Sequence, residues 1–210
     1  MQNKRYSYED LLEIMKKLRG PGGCPWDREQ DHESLKKYFI EETYEVLEAI
    51  DLKSPENLCE ELGDVLLQVI FHARIAEENG QFSMDDVVNT VSKKMVHRHQ
   101  HVFGVARAET ADDVINLWED IKKQEKGVKS QTDVLKDVPP ILPALMRSYK
   151  VQEKAAKVGF DWDQVEDAWE KVDEETEELR EAYLAGDKER MEGEMGDLLF
   201  AVVNVARFLK

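Results

Sequence analysis

Residues 40–50 read IEETYEVLEAI and residues 59–69 read CEELGDVLLQV. Phe39, Thr43, Val46, Leu47 and Ile50 recur on one side of a 3.6-residue period, and Leu58, Leu62, Val65, Leu66 and Val69 continue such a period after Pro55. Ser54-Pro55 separates the two runs, since proline suits the first turn of a helix and disfavours helix in the residue before it. The acids follow the same period. Glu42 and Glu45 are three apart on one helix, as are Glu61 and Asp64 on the next, so each pair shares a face. Antiparallel packing of the two helices converges four carboxylates.

The pattern occurs twice. Glu42, Glu45, Glu61 and Asp64 are each followed, after one common interval of 133 residues, by Glu175, Glu178, Glu194 and Asp197. The same interval carries Gly63 to Gly196, Leu66 to Leu199, Val69 to Val202 and Arg74 to Arg207. Trp26-Asp27 returns as Trp162-Asp163 at a slightly different interval. A whole unit of a loop and two helices is duplicated. Two homologous domains are expected, 1–130 and 131–210, divided at the polar run 127–133.

The rest of the chain also reads as helix. Tyr8 to Leu18 follows the N-cap candidate Ser7 and stops at Gly20-Pro21-Gly22-Gly23. A capped start at Ser83 leads through Val87, Val88, Val91 and Met95 towards Arg98. Further helices are predicted over Asp112–Lys126, Pro139–Lys157, Asp163–Leu184 and Asp187–Lys210. No segment sustains a two-residue alternation, so the fold class is all-α.

Charge narrows the function. The 210 residues carry a formal net charge of −16, which opposes a non-specific grip on nucleic acid or an anionic membrane. A nucleotide substrate is repelled as well, unless cations reverse the local field. Apolar runs such as Val65–Phe71 are too short to span a bilayer, and Cys24 and Cys59 show no paired spacing, so a reducing cytoplasm is expected.

Hard oxygen ligands suit magnesium or manganese, and four close carboxylates are strongly destabilising without a cation. A ferritin-like di-iron site normally adds a Glu-x-x-His pair, where this chain has Asp64 and Asp197. Isolated acids such as Glu13, Glu77 and Glu181 read as solvated helix faces. For the four-acid sets, the matched repeat and the small Gly63 and Gly196 inside them weigh towards a site. His97, His99 and His101 alternate near a helix end and do not form a convincing zinc set. Trp26 and Trp162 either stack on a base or pack their loops, and packing is the commoner fate of tryptophan. No Gly-x-x-x-x-Gly-Lys loop is present.

Glu41-Glu42-x-x-Glu45 with Glu61-x-x-Asp64 resembles the signature of all-α nucleoside triphosphate pyrophosphohydrolases. Gly22–Asp27, the His97–Gly104 segment, Gly159-Phe160-Asp161-Trp162 and the tandem arrangement are similar to the MazG family specifically, over essentially the whole chain. The resemblance implies magnesium, with manganese as a substitute, on Glu42, Glu45, Glu61 and Asp64, and again on Glu175, Glu178, Glu194 and Asp197. Glu41 and Glu174 then orient or deprotonate the attacking water, or support the site from outside. Lys171, Arg190, Trp26 and Arg98 become nucleotide contacts, although Lys171 and Arg190 read equally well as surface charges.

Hydrolysis of NTPs and dNTPs to monophosphate and pyrophosphate follows from the resemblance, with a broad base range and a role in nucleotide-pool housekeeping. Pairing of two-helix units into four-helix bundles implies a homodimer. The second domain is expected to lack the last helices of its relatives. Two alternatives stand beside this reading: a non-catalytic acidic helical dimer or nucleotide sensor, and a narrow dUTPase or dCTPase.

Overall fold

The computed structural model describes residues 4–125 and 130–209, and every regular element among them is helical. The chain divides into two compact units, Met1–Arg107 and Ala108–Lys210. Among the described residues, no helix is long and apolar enough to cross a membrane.

In the first unit, α1 (Tyr8–Arg19) starts at a reciprocal cap between Ser7 and Asp10. A tight loop leads to α2 (Pro25–Glu29). Gly23 is required there, because a Cβ would lie 2.1 Å from the Leu18 carbonyl oxygen. Next come α3 (Lys36–Asp51) and α4 (Pro55–Glu78), the latter capped by Ser54 with Pro55 in its first turn. Only Leu52–Ser54 joins them, so they form an antiparallel hairpin. α5 (Met84–Arg98) begins at a second reciprocal cap, Ser83 with Asp86, and is followed by α6 (Gln100–Phe103). Met15, Leu35, Ile70, Phe71 and Ile75 form the core of this unit, with Leu11, Leu12, Tyr38, Leu67 and Met84 packed around it.

Arg19 ties the α2 loop to that core. Its guanidinium donates to the backbone carbonyls of Asp27 and Gln30 and holds Glu78 on α4 at 2.8 Å.

The second unit comprises α7 (Ala111–Glu125), α8 (Gln131–Lys136), α9 (Ala144–Lys157), α10 (Val165–Ala185) and α11 (Lys188–Phe208). α10 and α11 form the matching hairpin, and α9 packs on α11. Lys157 reaches Glu119 on α7 at 2.5 Å, and Lys154 donates to the Val134 carbonyl at the end of α8.

Two details differ from the sequence reading. The helix expected from Pro139 starts only at Ala144, because Pro139, Pro140 and Pro143 supply no amide donors for a helical ladder. α7, assigned by sequence to the first domain, lies within the second compact unit, so the division falls after Arg107. Residues 126–129 of the expected linker lie outside the described residues.

Candidate active site

Each hairpin presents its acids at the same height on two adjacent helices. In the first, Glu42, Glu45 and Glu61 each offer one carboxylate oxygen, all within 4.8 Å of one another. Partial burial, then the charges of Asp64 and Glu45, push the Glu42 carboxyl above its ordinary range. Partial burial, then Glu45, Glu60 and Asp64, do the same to Glu61. Among the described residues, no lysine or arginine forms an ion pair with any of the four acids of this site. The first site is therefore a concentration of uncompensated negative charge, and its hard oxygen donors fit a small divalent cation. Asp64 is felt by Glu42 but lies outside the three-oxygen cluster.

The second hairpin gathers Glu175, Glu194 and Asp197 within the same 4.8 Å. Glu178 stands beside them, its carboxyl raised by partial burial and by Glu194, Glu175 and Glu174. This cluster carries its own cations. Lys171, one turn before Glu175 on α10, lies 2.6 Å from its carboxylate and 3.0 Å from that of Glu174. Arg190 on α11 pairs with Glu194 at 3.1 Å and with Glu181 at 3.4 Å. Hydrogen bonds to Glu175 and Glu174 raise the Lys171 ammonium well above its usual range. The matching positions of the first hairpin are Tyr38 and Asn57, so its acids have no such partners.

The other candidates fall as follows. Glu41 and Glu174 are exposed, each directly preceding the first acid of its cluster. Trp26 is half-exposed and meets Tyr38 edge-on, ring centroids 6.0 Å apart, one turn before Glu42. Arg98 is partly buried at the end of α5. His99 bonds the Met95 carbonyl through Nδ1, and its ring lies 5.7 Å from that of His101. Among the described residues the metal-capable clusters contain carboxylates alone. Gly63 and Gly196 are not demanded by packing, since a Cβ at either meets nothing within 4 Å.

One polar residue at the second site was not singled out by sequence. Gln152 on α9 is 6% exposed, donates through Nε2 to the Phe200 carbonyl at 2.7 Å, and leaves Oε1 without a partner. A glutamine on the buried face of an amphipathic helix was the available signal.

Two carboxylate-bearing helical hairpins in a row place the chain among all-α proteins built on a duplicated acidic hairpin. The chain belongs to the MazG family: the model of the MazG nucleotide pyrophosphohydrolase domain matches residues 30–103 and again 164–210, one match in each compact unit. It is 50% identical over 202 residues to the nucleoside triphosphate pyrophosphohydrolase/pyrophosphatase MazG of Thermotoga maritima, covering 96% of this chain and 76% of that one. It is 47% identical over 204 residues to the nucleoside triphosphate pyrophosphohydrolase of Escherichia coli K12, covering 95% and 77%. It is 52% identical over 206 residues to the uncharacterized protein YabN of Bacillus subtilis, covering 98% of this chain and 42% of that one.

Proposed function

We propose that the chain hydrolyses nucleoside triphosphates, with a broad base range, to monophosphate and pyrophosphate in a magnesium-dependent reaction that serves nucleotide-pool housekeeping. One observation carries the chemistry: three convergent carboxylates on the first hairpin, a cluster that is repeated on the second. The names of the Thermotoga and E. coli relatives support the substrate class.

Magnesium, when bound, supplies charge neutralisation at the phosphates and lowers the pKa of water. Glu42, Glu45 and Glu61 in the first unit, and Glu175, Glu194 and Asp197 in the second, are the residues that would hold it. Glu41 and Glu174, exposed beside the clusters, orient the attacking water or take its proton. Water oxygen bonds to the α-phosphorus, the bond from that phosphorus to its bridging oxygen breaks, and pyrophosphate leaves with the electron pair. Lys171 and Arg190 exchange carboxylates for phosphate oxygens as substrate enters, because both donors suit either anion.

Ile40, Tyr44 and Leu47 on α3 and Leu62 and Leu66 on α4 are exposed, apolar surface that pairing of hairpins in a homodimer would cover.

The test is pyrophosphate release from the eight common NTPs and dNTPs with magnesium, comparing the intact chain with Glu42→Gln and Glu175→Gln. Release that one substitution abolishes supports the reading and identifies the hydrolytic unit. No release from any of the eight overturns it.

A further inference from the structure

His32, in the loop between α2 and α3, meets His72 on α4 with the two Nδ1 atoms 2.8 Å apart. The ring planes differ by 9° and the ring centroids lie 5.1 Å apart. That separation is the 2.8 Å gap plus the two ring radii, the largest value the gap permits, so the rings lie edge to edge in one plane with their Nδ1 atoms head-on. Two nitrogens opposed along one line share a proton. A metal ion between them needs about 2.0 Å on each side, more than the gap allows. Packing does not ask for imidazole here, since the interval that relates the two acid sets carries His72 to Val205, a core residue of the second unit.

The loop is otherwise closed on itself. The Asp31 carboxylate accepts from the amides of Glu33 and Ser34, and the Ser34 hydroxyl donates to Gln30 Oε1. Among the described residues, the hydrogen bond that ties residues 31–35 to α4 is the one between the two histidines. The surrounding charges are engaged elsewhere. Arg19 on α1 and Arg74 on α4 hold Glu78, and Lys36 on α3 holds Glu33. What α3 turns towards His72 is the Phe39 ring, centroids 6.0 Å apart. Asp31 is the acid that adjoins His32, and the Ser34 amide holds its carboxyl below the ordinary range.

Proton counting then decides when the bond exists. His32 is exposed and His72 partly buried, and burial, followed by the neighbouring His32, lowers the His72 imidazole. The first proton therefore belongs to His32. It enters at Nε2, and Nδ1–H of the resulting imidazolium donates to Nδ1 of His72, which carries its own hydrogen on Nε2. A second proton can enter only at His72 Nδ1, where two N–H groups on two cations would face each other across 2.8 Å. The bond survives one added proton and is lost with two.

We propose that His32 and His72 form a proton-operated latch, which fastens the loop before α3 to α4 while the pair holds at most one added proton and releases it when both rings are charged. The sign follows from linkage. Histidines freed from each other take both protons around the ordinary imidazole value of 6.5, whereas the closed pair takes one. Below that value the open form binds more protons, so the fastening weakens as pH falls. The loop leads directly into the helix that bears Glu42 and Glu45, so release loosens the entry to the first acidic hairpin.

The test is nitrogen NMR of the histidine rings of the full chain from about pH 8 to about pH 5, with protection of the Ser34 and Leu35 amides read by hydrogen exchange at each end. The variants are His32→Asn and His32→Leu. Signals absent from His32→Asn assign His32, and the ring whose shifts respond assigns His72. The asparagine amide donates to a neutral His72 and accepts from a charged one, so it closes the latch at both ends of the range. Leucine leaves it open at both. In the parent, the pair is expected to take up one proton near neutrality with His72 as the Nε2–H tautomer. The second proton is expected only at acid pH, with a roughly tenfold loss of amide protection, the equivalent of one unit in the second pKa. Protection in His32→Asn is expected to change less than about twofold, and in His32→Leu to be low throughout. Two rings that titrate independently, parent protection that pH leaves unchanged, or an equal loss in His32→Asn overturns the inference. The parent titration decides even if His32→Leu fails to fold. None of these readouts involves pyrophosphate release, so the latch stands or falls apart from the proposed function.

Discussion

Lys171 Nζ lies 2.6 Å from a carboxylate oxygen of Glu175, on the adjacent turn of one helix, where the first hairpin has Tyr38 in place of the lysine, at the same spacing before Glu42. Glu175 is almost fully buried, so its charge depends on that ammonium more than an exposed glutamate would. Lys171 itself is more than a third exposed, which screens the pair. Lys171→Met should therefore cost about 1 kcal/mol in metal-free buffer, a fall of roughly 4–8 °C in the melting of a unit this size. Magnesium should restore most of the loss. Calorimetric melting with and without a chelator checks this, and a loss that magnesium leaves untouched would count against a cation on this cluster.

The first site behaves in the opposite sense. Glu42 and Glu61 have carboxyl groups raised above their ordinary value of 4.5 by partial burial and by neighbouring acids. A folded-state pKa above the unfolded one means that the folded state binds protons more tightly, so these groups favour folding at low pH. That contribution disappears as pH rises through the folded values. Metal-free protein should accordingly lose stability from this source as pH climbs out of the carboxylate range, and divalent cation should recover it at neutral pH. Glu42→Gln should flatten the profile and shrink the magnesium-induced rise in melting temperature. An identical magnesium effect in variant and parent would be evidence against a metal held by Glu42.

Arg19 is 6% exposed and serves three acceptors at once: the Glu78 carboxylate and the carbonyls of Asp27 and Gln30. Removing it strands two carbonyls and weakens the hold on Glu78, although Arg74 still pairs with that carboxylate at 2.9 Å. Arg19→Leu should destabilise the first unit by about 2–4 kcal/mol in urea titration. Arg19→Lys should recover less than half, because an ammonium cannot span the fork a guanidinium makes.

The two hairpin turns offer a matched backbone experiment. Gly186, between α10 and α11, has φ +69°, and at the same repeat position Lys53, between α3 and α4, has φ +53°. An L side chain in the left-handed region costs about 1–2 kcal/mol, offset in part by the lower unfolded-state entropy of a non-glycine residue. Gly186→Lys should lower stability by about 1 kcal/mol, and Lys53→Gly should raise it by about 0.5 kcal/mol. Chemical denaturation of the two variants, read for opposite signs, is the check.

Much of this molecule was legible along the chain because the deciding interactions are short in sequence. The all-α class, the Ser7 and Ser83 caps and the hairpin at Ser54-Pro55 depend on contacts within four residues. So does the i, i+3 spacing that places Glu42 with Glu45 and Glu61 with Asp64. The duplication was equally visible, since one interval carries both acid sets, and the family match in each unit agrees with it.

What only the tertiary structure decided is which side chains meet across helices. Sequence offered Arg190 as a phosphate contact or a surface charge, and packing brings it from α11 to Glu181 on α10 as well as to Glu194 on its own helix. It gave no hint that Gln152 on α9 would face the carbonyl of Phe200, 48 residues away, with one amide oxygen left over. It assigned α7 by proximity in the chain, where the contact of Glu119 with Lys157 ties it to the second unit. Helical periodicity fixes the face a residue occupies. Whether that face meets a cavity or a core is set by partners dozens of residues away, whose volume no local pattern encodes.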